Sequence, residues 1–309
     1  MSANTIPCLD FSQCDSLEFA EQLSEAFSNF GFVALENHGL SAALRERAFE
    51  VISKFFDLSR AEKLKYFVPD GAGARGYTEF GRELAKDSIT PDLKEFYHVG
   101  RELPLDKRVA EKNNIWPQEI PEFRREILEL FSQLDRIGAR VLQAVARGLK
   151  LDPDYFVDKT NLGNSLIRAL HYPPVPAGEG LAVRAGAHED INLITLLIGT
   201  PQPGLEILCK DGEWIEAPRG SEYILCNVGD MLQRLSNHQL SSTTHRVVNP
   251  PAPYCEVSRY SLPFFLHPNS DFLIETLPSC ITATRKNRYP NGITADAFLQ
   301  ERLGEIGLL

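Results

Sequence analysis

At 309 residues, with 43 % hydrophobic and 24 % charged residues, the chain has an ordinary globular composition and enough length to bury a sizeable core. Its formal net charge of -10 comes without blocks of like charge, which argues against nucleic acid as a partner. No apolar run reaches the roughly 18 residues needed to span a membrane, and the opening MSANTIPCLD lacks the basic-then-apolar pattern of a secretory leader.

The cysteines, Cys8, Cys14, Cys209, Cys226, Cys255 and Cys280, are scattered with no CxxC spacing, a usage that fits free thiols in a reducing cytoplasm. IPCLDF (Ile6 to Phe11) reads as a short strand. Asp15 or Ser16 can cap a helix from Leu17 to Phe30, where Phe19, Leu23, Ala26, Phe27 and Phe30 recur at helical spacing. Gly31 ends it, and FVALENHG forms a strand and turn. A second helix is predicted over Ser41 to Phe56, and Ser59 opens a short third one. From Val68 to Ile120 the pattern weakens: Gly71, Gly73 and Gly76 mark loop, followed by strand-like pieces such as EFYHVG. A long helix spans Pro121 to Lys150, with Pro121 placed in its first turn.

After Asp152 short strand-like runs alternate with turns: SLIRALHYP, LITLLIG, GLEILC, SEYILCNVG, HRVVN and SRYSLPFFLHP. Several short strands at near-regular spacing imply a sandwich or barrel, with helices packed outside and a closing helix over Thr294 to Leu303. The fold class is mainly β with α. The expected organisation is an N-terminal helical/β region over 1–120, then the long helix, β core and C-terminal helix over 121–309, as one compact unit.

Within the β region, His188-Glu189-Asp190 places an imidazole and a carboxylate two residues apart, on one face of an extended strand. His245 follows far enough along the chain to return beside that strand. Two histidines and a carboxylate make the facial triad of non-haem Fe(II) oxygenases, although zinc accepts the same ligands, and His245 alone reads equally as a core or surface residue. His38 and His238 sit in turns and read as structural, whereas His171 and His267 are placed where they could face a cavity. Arg259 and Ser261, in RYS, aim a guanidinium and a hydroxyl at one face, a pair suited to a carboxylate.

The ordered set HxD (His188 to Asp190), NVGD (Asn227 to Asp230), SxxHRV (Ser242 to Val247) and RxS (Arg259 to Ser261) resembles the 2-oxoglutarate- and Fe(II)-dependent dioxygenases related to isopenicillin N synthase. IPCLDF, NFGFVALENHGL and FFDLSRAEKLKY resemble that family's N-terminal region, so the likeness covers nearly the whole chain. The resemblance implies a double-stranded β-helix (jelly roll) core with N-terminal and flanking helices. It implies His188, Asp190 and His245 as iron ligands, Arg259 and Ser261 on the outer carboxylate of 2-oxoglutarate, and Tyr172 at a position that often contacts the same group. The expected cofactors are Fe(II), 2-oxoglutarate and O₂, with ascorbate as a reductant. The expected reaction is hydroxylation or desaturation of a small organic molecule with release of succinate and CO₂, by a cytoplasmic monomer or weak homo-oligomer. Leu170 stands where the family often has an asparagine, and Glu189 where threonine or serine is common; Glu189 is expected to point away from the metal. Arg75 and Tyr77, in RGYTEF, fall with Asp92 to Gly100 in the family's variable substrate region, and Phe265 is a candidate for an apolar wall. Competing readings are a 2-oxoglutarate-independent iron oxidase that closes rings, a non-catalytic jelly-roll binding protein and a zinc hydrolase.

Overall fold

The computed structural model describes residues 5–69, 74–82, 91–104, 106, 113–175 and 183–305. Gly71 and Gly73, read as loop, lie outside the described residues. The N-terminal helices start at their caps. Ser16 Oγ accepts from Phe19 N at 3.1 Å ahead of α1 (Leu17–Asn29), and Ser41 Oγ accepts from Leu44 N at 3.4 Å ahead of α2 (Ala42–Phe56). Ser59 and Glu62 form a reciprocal capping box on α3 (Arg60–Lys63). The long helix α4 (Phe123–Gly148) begins later than expected: Pro121 lies in the turn before it, with Glu122 as the N-cap. α5 (Val157–Thr160) and α6 (Asp230–Leu235) are too short to show a period and were not anticipated; α7 (Ala295–Glu305) closes the described chain. No helix among the described residues is long and apolar enough to cross a membrane.

Among the described residues the strands form two main sheets. The large one comprises β1 (Cys8–Asp10), β2 (Phe32–Glu36), β3 (Gly76–Thr78), β4 (Glu95–Gly100), β5 (Leu166–Tyr172), β7 (Ile194–Ile198), β10 (Ile224–Val228), β12 (Arg259–Ser261) and β13 (Pro263–Leu266). Its order is β1-β2-β10-β7-β13-β5-β4-β3, with β12 also paired to β5. The small sheet runs β6 (Ala185–His188), β11 (His245–Val247), β8 (Leu205–Leu208), β9 (Trp214–Glu216), and β14 (Leu273–Ile274) pairs separately with β15 (Ile293–Thr294). The two main sheets form the jelly-roll core expected from the sequence.

Alternation along the large sheet divides its side chains. Val33, Leu35, Tyr97, Ile167, Leu196, Ile224, Cys226 and Phe264 face outward into the apolar layer shared with α1, α2 and α4. Phe131 of α4 meets Phe264 edge-on at 5.0 Å, and Gly138 brings the helix close, since a Cβ there would lie 2.5 Å from Leu266. On the inner face Phe32, Phe96, Leu170, Tyr172 and Leu225 pack against Ala185, Ile207 and Val247 of the small sheet.

A polar network is buried on the outer face. Glu95 receives Lys63 Nζ at 2.9 Å, the Tyr77 hydroxyl and His171 Nδ1 at 2.8 Å, and His171 Nε2 meets Ser258 Oγ at 3.0 Å. The His171 ring stacks on Tyr260 at 5.0 Å. His171 therefore faces the helical layer and not the cavity, because its neighbours Leu170 and Tyr172 occupy the inner side. Burial alone would raise the Glu95 carboxyl, but hydrogen bonds from His171, Tyr77 and Lys63 outweigh it and hold it below its ordinary value of 4.5. Glu95→Gln leaves a buried ammonium without its anion and should cost about 3 kcal/mol in denaturant unfolding at pH 7. A carboxyl depressed in the fold stabilises above its unfolded pKa. The gap between wild type and variant should thus be full at neutral pH and shrink as pH falls below 4.5.

Candidate metal centre

The two sheets converge on His188, Asp190 and His245. Each offers one ligand atom, and these atoms all lie within 4.8 Å of one another. His188 ends β6 and is the direct partner of His245 at the start of β11, so register alone sets the imidazoles side by side, with ring centroids 4.5 Å apart. A register shift lies between this pair and the Ala185–Val247 pair. Two steps along β11 thus face three along β6, and the bulge turns both Ala185 and His188 inward. The expectation that His188 and Asp190 share a strand is corrected here: β6 stops at His188, and Asp190 lies in the turn beyond.

What holds Asp190 is the large sheet. Thr195 Oγ1 donates to its Oδ2 at 2.6 Å and Asn227 Nδ2 to the same oxygen at 2.7 Å, while Asp230 N donates to the Asp190 carbonyl at 2.7 Å. Oδ1 is left toward the histidines, 3.9 Å from His245 Nε2. The NVGD motif is thereby explained: Asn227 grips the carboxylate, and Gly229 permits a close approach in which a Cβ would sit 2.2 Å from the Asn192 carbonyl. Burial opposes ionisation of Asp190, but the neighbouring imidazoles and its two hydrogen bonds prevail and keep it below the ordinary carboxylate range.

Both histidines present the same nitrogen. His188 Nδ1 lies 2.8 Å from the Gly186 carbonyl and His245 Nδ1 lies 3.1 Å from the Thr243 carbonyl. A carbonyl only accepts, so each Nδ1 carries the proton and each Nε2 keeps its lone pair. Burial and the adjacent His245 push the His188 pKa down to about 4, which keeps it neutral and available to a cation at pH 7. Glu189 is exposed and accepts from Thr244 Oγ1, pointing away from the triad as expected.

Beneath the triad one row of paired residues crosses the large sheet: Phe32, Asn227, Thr195, Phe265, Leu166 and Gly100. The Phe32 ring lies edge-on to His245 at 5.3 Å. Phe265 thus stands beside the Thr195 that holds Asp190. Further along β5, Arg168 pairs with His98, Leu170 with Phe96 and Ser261, and Tyr172 with Arg259. Arg259 and Ser261 are buried, and the Arg259 guanidinium lies 5.1 Å from the centre of the Tyr172 ring. Among the described residues its Nε and Nη1 have no hydrogen-bond partner, an arrangement that suits an incoming carboxylate. Leu170, in place of the family's asparagine, leaves an apolar surface with Phe96 on this stretch.

Two other expectations are corrected. Tyr77 pairs with Tyr97, packs on Phe55 and gives its hydroxyl to Glu95, so it belongs to the outer face. Arg75 is buried against Gly100, where a Cβ would meet its guanidinium at 2.0 Å, and it donates to Asn164 Oδ1 at 3.0 Å, beside a cavity of about 570 Å³ whose described lining does not include the triad. The inner face carries His98 and Arg168 instead. Arg168 Nε donates to His98 Nε2 at 2.7 Å, and its guanidinium lies 4.4 Å from the Phe96 ring and 5.6 Å from Phe265. Thr195 and Arg168 also escaped the sequence reading, which held Asn227 only as part of the NVGD motif and gave it no role. The signal was a polar residue set among apolar ones: Thr195 in ITLLI, Asn227 in ILCNV and Arg168 in LIRALHY, the last sharing its strand with His171.

Two family models match, non-haem dioxygenase in morphine synthesis N-terminal over residues 6–119 and the 2OG-Fe(II) oxygenase superfamily over residues 163–268. The 2-oxoglutarate-dependent dioxygenase citB of Monascus ruber is 34 % identical over 272 residues, covering 83 % of this chain and 80 % of its own. A 2OG-Fe(II) oxygenase family protein of Caulobacter crescentus superposes with a TM-score of 0.90 at 46 % identity, over 99 % of this chain and 100 % of its own. A full-length Neurospora crassa protein, solved in complex with alpha-KG and thymine, superposes with a TM-score of 0.87 at 31 % identity, over 98 % of each chain. If Thr195 and Asn227 set the carboxylate for a cation, Thr195→Val should weaken divalent-metal affinity about 10- to 100-fold in anaerobic calorimetry while the thermal midpoint changes little. Unaltered affinity would remove Thr195 from that role.

Proposed function

This chain belongs to the 2OG-Fe(II) oxygenase superfamily, and from that premise we propose that His188, Asp190 and His245 hold its Fe(II) while Arg259, Ser261 and Tyr172 receive the distal carboxylate of 2-oxoglutarate. The protein is a 2-oxoglutarate-dependent non-haem iron dioxygenase acting on a small molecule, with O₂ as co-substrate. The observation that carries the residue assignment is the cluster of two imidazole nitrogens and one ionised carboxylate within 4.8 Å of one another. That donor set suits Fe(II) and leaves coordination positions open. Once loaded, the iron with 2-oxoglutarate and O₂ supplies the oxidising power for C–H cleavage, with succinate and CO₂ released.

The chain's own residues then bind, orient and exclude. Thr195 and Asn227 fix Asp190 as an anion, and the two carbonyls fix the imidazole tautomers. Arg259 anchors the keto acid at one end of the β5 inner face. Arg168 lies four residues from Tyr172, the strand partner of Arg259, on the same face of β5, roughly 13 Å along the strand. With His98, Phe96 and Phe265 it forms the surface on which the organic substrate lies, approaching the metal from the side opposite the keto acid's anchor. Thymine in the Neurospora structure and JA in the complex of JOX2 with 2OG and Fe, 28 % identical to this chain, are small molecules bound by relatives. The outcome is hydroxylation or desaturation, and the protein works as a cytoplasmic monomer or weak homo-oligomer with no nucleic-acid partner.

Anaerobic addition of Fe(II) and 2-oxoglutarate should develop a weak visible charge-transfer band. Asp190→Ala and His188→Ala should abolish it, and a band retained in either variant would contradict the ligand assignment. Arg259→Ala should lower keto-acid affinity by roughly 2–5 kcal/mol. Arg168→Met should leave keto-acid affinity within about twofold, because it lies off that anchor, yet suppress substrate-stimulated succinate formation; equal losses in both would place Arg168 in the keto-acid site.

A further inference from the structure

We propose that Arg184 is a second cation of the keto-acid pocket, one that makes the site choose dicarboxylic over monocarboxylic 2-oxo acids. The inference rests on the reading of Arg259 given above and extends it to a residue outside the RxS motif. Arg184 immediately precedes β6 and is 0 % exposed, while Arg259 is 4 % exposed. Among the described residues neither guanidinium has a carboxylate within ion-pairing distance. Arg184 spends only Nη2, which donates to the Tyr254 carbonyl at 3.4 Å and the Val257 carbonyl at 3.3 Å. Among the described residues its Nε and Nη1 are buried without a partner, as are Nε and Nη1 of Arg259.

Two buried guanidiniums, each with two nitrogens unpartnered among the described residues, form an arrangement that a protein rarely leaves uncompensated. Both are disfavoured by burial, and the positive charge of Arg259 adds to the effect on Arg184, bringing its pKa to about 10. Tyr172 and Cys255 are the other groups whose charges act on Arg184. Loop 254–257, which Arg184 holds through its two carbonyls, leads directly into Arg259 at the start of β12. Clamping that loop needs a donor, and a neutral amide would supply one. The surplus is the charge, and an anion shared with Arg259 is the chemistry that uses it.

The test uses the full chain loaded with Fe(II) under nitrogen, titrated separately with 2-oxoglutarate and with 2-oxovalerate, which keeps the chelating end and lacks the distal carboxylate. The charge-transfer band reports affinity and thermal denaturation reports folding. Arg184→Gln keeps an amide for the loop carbonyls and removes the charge; Arg184→Lys keeps the charge and loses the fork. The proposal expects the Gln variant to lose about tenfold or more in 2-oxoglutarate affinity, while 2-oxovalerate stays within about twofold and the Lys variant retains most of the dicarboxylate preference. Wild-type affinity in the Gln variant, equal losses for both acids, or a Lys variant no better than Gln would overturn it. Should the Gln variant not fold, Lys alone decides: a folded Lys variant without dicarboxylate preference contradicts the proposal. Absence of any band with wild type and 2-oxoglutarate would overturn the keto-acid reading itself, and this inference with it.

Discussion

The structure turns on one carboxylate. Asp190 comes from the turn that leaves the small sheet, yet it is gripped by Thr195 and Asn227 from two adjacent strands of the large one. That pair of hydrogen bonds joins the sheets at the single point where His188 and His245 already stand together by register. A carboxylate buried this deeply stays ionised only because donors and imidazoles surround it. Jelly-roll closure, imidazole tautomers and the ionised acid are therefore parts of one arrangement whose centre fits a divalent cation.

Strand alternation orders the inner face of the large sheet. β5 carries alternating duties: its outward residues Ile167, Ala169 and His171 meet the helical layer, and its inward residues Leu166, Arg168, Leu170 and Tyr172 line the interior. Arg259 pairs with Tyr172 at one end, while Arg168 pairs with His98 toward the other. Behind this strand, Glu95 gathers Lys63, Tyr77 and His171, and His171 in turn meets Ser258 next to Arg259. Side chains that touch no substrate thus set the position of those proposed to do so, an arrangement familiar around metal sites, where outer hydrogen bonds orient the ligands.

Much of this was legible in the sequence. Helical periodicity located α1 and α2, with Asp15 or Ser16 offered as the cap of the first, and the spacing of HED and HRV picked out the three residues that the fold clusters, while RYS falls on a strand beside Tyr172. Other features were not legible because they depend on partners far along the chain. The bulge in β6 is a property of its pairing with β11 and leaves no local mark. Which face Tyr77 presents cannot be read from a three-residue strand; its partner Tyr97 decides it. Arg75 looked like a substrate residue by its position in a variable loop, but Gly100 and Asn164 receive it instead. His171 beside Tyr172 could have faced either way until the strand's alternation was fixed, and Arg184 gave no sign of its burial.

The central claim is that two imidazoles and one carboxylate share a single redox-active ion. The most direct measurement is an anaerobic crystal structure with Mn(II) in place of Fe(II), with the metal located by its anomalous scattering. The account predicts one strong peak at bonding distance from His188 Nε2, His245 Nε2 and an Asp190 carboxylate oxygen. A peak bound elsewhere, or one that leaves any of the three uncoordinated, would contradict it.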